Sequence, residues 1–254
     1  MKRRTFLKNG LVACTGLACA ETWSVRAADR AAADGVRPFR MKFSPDFGLF
    51  DDSAGKTPID QIKWGFDHGF RAWENTMLRR RPVDEQERIS RTIQQLSMEF
   101  GQFVGTMNFK DVTFAGRDAA AREVVLNEAR ASVEIAKRMN TKFVHNVLGV
   151  ADPKLPGHFQ MANAIELLKR IAGIYEPHGI VMVMESMNAK INHPGMFLRT
   201  IPQAYVLAKA VRSPSVKVLF DFYHVQIEEG NLLPTLDYAW DEIGYIQMGD
   251  TPGR

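Results

Sequence analysis

Past residue 40 the chain repeats one pattern: a short β-rich run, then a longer stretch with helical spacing of its apolar residues, restarting at roughly 30 to 40 residue intervals. The strand-like runs are Arg40–Phe50, Arg71–Thr76, Gln102–Phe109, Lys142–Leu148, Ile180–Glu185, Val216–Phe222 and Tyr245–Met248. Between them the spacing predicts helices over Pro58–Phe70, Asp84–Phe100, Asp118–Met139, Phe159–Tyr175, Pro202–Val211 and Leu233–Ile243. Val181-Met182-Val183-Met184 is apolar on both faces, as a parallel strand covered on each side requires. The pattern predicts an α/β fold, a (β/α)8 TIM barrel. A doubly wound open sheet is the alternative, but no Gly-rich phosphate turn follows the first run. Only seven runs are present, so the chain is expected to be truncated after the seventh strand of a barrel, since an unpaired first strand would be an exposed edge.

The 254 residues and 45% apolar content allow one sizeable domain. The net charge of +4 looks basic, but residues 1–27 carry five cations against one anion, leaving 28 of each in the rest of the chain. The body is therefore neutral, which argues against a nucleic-acid partner. Cys14 and Cys19 also lie in the leader, so disulfides, zinc-thiolate sites and cysteine nucleophiles are excluded beyond it. The leader itself has Lys2-Arg3-Arg4-Thr5-Phe6-Leu7-Lys8 followed by a small-residue apolar stretch, Gly10 to Ala20, too short to span a bilayer. It resembles a twin-arginine signal peptide, which implies contact with the twin-arginine export machinery, a periplasmic location in a bacterium, and no stable membrane association after cleavage. Two cleavage points fit, after Ala20 or after Ala27, and Leu11-Val12-Ala13-Cys14 resembles a lipid-attachment box. The expected organisation is signal peptide 1–27, linker 28–39 and barrel domain 40–254, with oligomer formation left open.

Barrels of this kind gather reactive groups at the carboxyl ends of their strands. Polar residues at those ends are Glu74, His145 and Asn146, Glu185 and Asn188, Asp221 and His224, then Gln247 and Asp250. A carboxylate directly after Val-Met-Val-Met, and another after Val218-Leu219-Phe220, is costly without a cation or hydrogen-bond donors. Glu185 and Asp221 on adjacent strands, with the amide oxygen of Gln247, make a hard, oxygen-rich set suited to Mg²⁺ or Mn²⁺. The plainer readings are ion pairing of each carboxylate with Lys or Arg, a core role for His145, strand termination by Asn188 and a surface ion pair at Glu74. His68, His158, His178 and His193 read as solvated.

Glu185-Ser186-Met187-Asn188, His193-Pro194-Gly195-Met196-Phe197-Leu198, the run from Asp221-Phe222-Tyr223-His224 to Gly230, and the segment from Tyr245-Ile246-Gln247 to Pro252-Gly253-Arg254 resemble the hydroxypyruvate isomerase family of the xylose isomerase-like barrels. The resemblance covers most of 41–254. It implies one divalent metal and an aldehyde–ketone interconversion of a small hydroxy-carbonyl compound or sugar by proton transfer through an enediolate. By the same resemblance Glu185 is metal ligand and acid/base, Asp221 and Gln247 are ligands, and His224 and Arg254 touch the substrate. Glu74, His145 and Asn188 join them as substrate-binding candidates. Two departures stand out: Ser186 occupies a position where the family usually has Pro, and the family's second acid/base glutamate belongs to an eighth strand. The alternatives are a sugar 3-epimerase of the same superfamily and a degenerate, non-catalytic binding protein. A phosphodiester-cleaving relative would need a histidine-rich metal cluster and a basic groove.

Overall fold

The structure, a computed structural model, describes residues 36–251 and 253. The leader, with its signal, cleavage and lipid-box features, and Arg254 lie outside the described residues.

Among the described residues there are seven strands: β1 (Ala72–Trp73), β2 (Glu99–Phe100), β3 (Gln102–Asn108), β4 (Phe143–Leu148), β5 (Val181–Glu185), β6 (Val216–Asp221) and β7 (Ile243–Gln247). All pair in parallel and in sequence order, β1 with β2 and then β3 through β7. Gly101 alone separates β2 from β3, and the Gly101 N–H donates to the Trp73 carbonyl at 2.8 Å. The two sheets are thus one curved wall. Eight α-helices among the described residues are interspersed with the strands: α1 (Asp51–Ala54), α2 (Pro58–Asp67), α3 (Val83–Gln95), α4 (Ala119–Met139), α5 (Gly157–Tyr175), α6 (Ile201–Val211), α7 (Phe222–Glu228) and α8 (Leu232–Ala239). This is the parallel α/β architecture of a TIM barrel.

Local chemistry sets the element boundaries. Thr57, Asp118 and Thr200 each accept a backbone N–H three residues on, starting α2, α4 and α6. Asn140 ends α4 in the left-handed region. Inward faces of helices and strands meet in one core, in which Trp73, Phe103, Phe114, Phe220 and Tyr175 are fully buried. No helix among the described residues is long and apolar enough to cross a membrane.

Four boundaries depart from the sequence reading. Arg40–Phe50 forms no strand, because Pro45 lacks a donor, Asp46 turns its carboxylate onto the Phe47 N–H, and Gly48 has φ +95°. The segment still docks on β1, where the Glu74 N–H donates to the Pro45 carbonyl at 3.0 Å. The helix expected to reach Phe100 stops at Gln95, with Ser97 at φ 52°, and Glu99–Phe100 joins the sheet instead. The helix expected to reach Ile243 ends at Ala239 in a 3₁₀ turn, so β7 starts two residues earlier than expected. Finally, Phe222–Glu228 is helical, with Asp221 as its N-cap.

Candidate active site

Strand β5 ends on Glu185 and β6 ends on Asp221, both almost fully buried, and the parallel register carries Glu185 beside Leu219 and Asp221 beside Gln247. One donor atom from each of Glu185, Asp221 and His224 lies within 4.8 Å of those of the other two. Asp221 Oδ1 accepts the Tyr223 N–H at 2.8 Å and the His224 N–H at 3.4 Å, which starts α7 and turns His224 back over the strand ends. Asp221 Oδ2 lies 3.9 Å from His224 Nε2, and Glu185 Oε1 lies 3.6 Å from the same nitrogen. On the other side, His145 Nε2 from β4 stands 2.7 Å from Glu185 Oε2. Neither nitrogen of that buried ring meets hydrogen-bond geometry with a protein partner among the described residues.

The hydrogen bonds around His224 decide its form. Its Nδ1 accepts the Asn188 backbone N–H at 3.2 Å and lies 2.6 Å from the Asn188 side-chain nitrogen. Asn188 Oδ1 in turn accepts from the backbone N–H groups of Ile191 and Asn192, which fixes the amide with its nitrogen toward the ring. A neutral imidazole that accepts at Nδ1 carries its proton on Nε2. His224 therefore presents an N–H, not a lone pair, to the space beside Glu185 and Asp221. A cation placed there fits the two carboxylates, and His224 fits a substrate oxygen. The hydrogen-bonding groups of Asn188 are taken up within the protein, so its part in this geometry is to orient His224.

Sequence reasoning passed over several residues here. His193, read as solvated, is half-buried, stacks on Phe109 at 4.9 Å and lies 5.4 Å ring to ring from His224. Glu228 holds the loop after β5: Oε2 accepts the Ala189 N–H at 2.9 Å and Oε1 accepts Arg199 Nε at 3.0 Å. Its place in the Asp221–Gly230 run, one helical turn past His224, was the available signal.

Glu74 follows β1 on the far wall. Its carboxylate accepts the Tyr245 hydroxyl at 2.6 Å and Gln102 Nε2 at 2.9 Å, and it lies within electrostatic reach of His145. It is not part of a surface ion pair. Burial pushes its carboxyl up to about 7, against the opposing pull of the Tyr245 and Gln102 hydrogen bonds. Burial and the neighbouring Glu74 raise Tyr245 as well, so the phenol stays a donor. Because Glu74 holds its proton more tightly folded than unfolded, the fold binds an extra proton between the ordinary value of 4.5 and about 7, and it loses stability as pH rises through that window. Glu74→Gln should remove this dependence. Between pH 5 and 8 the parent should lose up to about 3 kcal/mol more unfolding free energy than the variant, read by urea denaturation. Parallel profiles for the two proteins would refute the assignment.

Together the parallel barrel and the strand-end pair of buried carboxylates define a class of (β/α) proteins with a carboxylate site at one end of the sheet. The chain belongs to the xylose isomerase-like TIM barrel family, whose model matches residues 62–254. It is 30% identical over 123 residues to a 2-oxo-tetronate isomerase of Pectobacterium atrosepticum, covering 48% of this chain and 47% of that protein. It is 27% identical over 139 residues to the hydroxypyruvate isomerase of Escherichia coli, covering 55% and 52%. The chain thus spans about half the length of the curated relatives it matches. Among solved structures, an AP endonuclease of family 2 from Brucella melitensis superposes with a TM-score of 0.70 at 21% identity, covering 84% of this chain and 81% of that one.

Proposed function

We propose that this chain carries the catalytic body of a divalent-metal-dependent isomerase, which interconverts aldehyde and ketone in a small hydroxy-carbonyl compound. Hydroxypyruvate and 2-oxo-tetronate, the compounds in the relatives' names, are the first candidates. The observation that carries the reading is the convergence of Glu185, Asp221 and His224 at two adjacent strand ends. Glu185 and Asp221, with Gln247 one strand over, would hold Mg²⁺ or Mn²⁺, which when bound supplies charge withdrawal from the substrate carbonyl. His224 donates its Nε2–H to a substrate oxygen and stabilises the negative charge that develops there. Glu185 removes a proton from the carbon next to the carbonyl and returns it to the former carbonyl carbon, while the hydroxyl proton passes from one substrate oxygen to the other, so the enediolate closes as the isomer. His145 Nε2, 2.7 Å from Glu185 Oε2, walls one side of that carboxylate. Arg254 belongs to the same proposal as a substrate contact. Chelator-treated protein should show no interconversion of hydroxypyruvate by NMR, and Mn²⁺ should restore it; interconversion indifferent to chelator would overturn the reading.

The same proposal places the protein in the periplasm, supported by the paired arginines of the leader. Changing both Arg3 and Arg4 to Lys should leave precursor in the cytoplasm, read by fractionation. Undiminished periplasmic protein would contradict export by this route.

A further inference from the structure

The loop that follows β5, residues 186–200, carries two groups that meet His224, namely Asn188 and His193. Helix α7 clamps this loop at both ends through one side chain. Glu228 Oε2 accepts the Ala189 and Lys190 N–H groups at 2.9 and 3.3 Å, where the loop leaves β5, and Oε1 accepts Arg199 Nε at 3.0 Å, where the loop nears α6. Arg199 Nη2 bonds the same Oε1, and the Lys190 ammonium donates to the Glu228 carbonyl. The next residue adds to the exit, since Glu229 Oε1 accepts the Ile201 N–H at 2.7 Å. The Glu228 side chain is only 3% exposed, so a carboxylate there depends on these donors. Burial pushes its carboxyl up, but the Arg199 and backbone hydrogen bonds outweigh burial and hold it below the ordinary carboxylate range.

Spacing explains why this clamp reaches the site. Asp221, His224 and Glu228 follow one another at three and four residues, so they share one face of α7. The face that begins at the strand end with Asp221 and His224 finishes on Glu228, against the loop. Ala189 adjoins Asn188, whose backbone N–H reaches His224 Nδ1 at 3.2 Å and whose side-chain nitrogen lies 2.6 Å from it. Site geometry of this kind tolerates displacements of only about half an ångström. Without the Asn188 donors the imidazole proton is free to sit on Nδ1, and Nε2 then offers a lone pair where the substrate oxygen needs a donor.

Resting on the isomerase reading for the role of His224, we propose that Glu228 is a positioning residue: by clamping both ends of the β5 loop it holds Asn188 against His224 and fixes the ring as an Nε2–H donor. Glu228→Gln in the full chain tests this, because a carboxylate accepts on both oxygens and an amide on one, so Gln cannot hold both ends of the loop. The readout is the pair of His224 ring-nitrogen shifts by NMR of histidine-labelled protein, taken with Mg²⁺ at a pH where imidazole is neutral and assigned by their loss in His224→Gln. The parent should show the Nε2–H tautomer alone. In Glu228→Gln the two shifts should move toward each other as the tautomers mix. Arg199→Ala changes a half-exposed side chain and should move them in the same direction, and it carries the test if Glu228→Gln fails to fold. Thr57→Ala, which removes the cap of α2, should lower the melting temperature and leave the His224 shifts in place. Parent-like shifts in both Glu228→Gln and Arg199→Ala, an Nδ1–H ring in the parent, or the same movement in Thr57→Ala would overturn the positioning role. With hydroxypyruvate, kcat should fall about tenfold in Glu228→Gln while the Mn²⁺ dissociation constant moves by less than about twofold. A parent without turnover would sink the isomerase reading, and the ring shifts would still decide the role of Glu228.

Discussion

Glu185→Gln should lower the rate of carbonyl interconversion by on the order of 10²–10⁴-fold while only weakening metal binding. The amide keeps an oxygen that can face a cation, and it keeps the shape that fits between His145 and His224. What it loses is the ability to take a proton from carbon. The split between rate and binding matters, because loss of the site as a whole would remove both. A purely structural role for Glu185 would instead show as a lower melting temperature with turnover per folded molecule unchanged. Steady-state rates at saturating Mn²⁺, with metal content measured on the same samples, separate the two outcomes.

Asp221→Ala should raise the dissociation constant for Mn²⁺ by about 10²-fold or more, and it should also destabilise the metal-free protein by about 1–2 kcal/mol. The second effect follows from Asp221 Oδ1, which accepts the Tyr223 and His224 N–H groups at the start of α7. Asp221→Asn divides the two roles. Its amide oxygen can cap the helix, so the metal-free protein should melt near the parent, but the missing charge should still weaken Mn²⁺ binding. Added Mn²⁺ should then raise the melting temperature of the parent and of neither variant, since a ligand bound only to the folded state stabilises it by mass action. Equal Mn²⁺ affinity in all three proteins would remove Asp221 from the cation site.

The barrel was legible because its strands leave a strong trace. Val181-Met182-Val183-Met184 and Val218-Leu219-Phe220 are apolar on both faces, and the carboxylate that ends each run is conspicuous for its cost. The failures are as physical. Arg40–Phe50 has strand-like composition, yet Pro45 and Gly48 impose a backbone path that hydrophobic content does not reveal. Helix α7 escaped notice because its start is also a strand end, and one residue, Asp221, serves both. The orientation of His224 depends on Asn188, 36 positions earlier, and the tie between Glu74 and Tyr245 spans 171 positions. Pairings at that separation are products of the folded sheet and have no local signature.

Deuterium exchange at the carbon next to the carbonyl tests the central claim most directly, because it reads proton removal without requiring the reaction to finish. The full chain, loaded with Mn²⁺ and given hydroxypyruvate or D-fructose in D₂O, should incorporate solvent deuterium at that carbon. Glu185→Gln should abolish incorporation while the substrate still binds. Incorporation that persists undiminished in Glu185→Gln, or none in a parent that has bound both metal and substrate, would contradict the account.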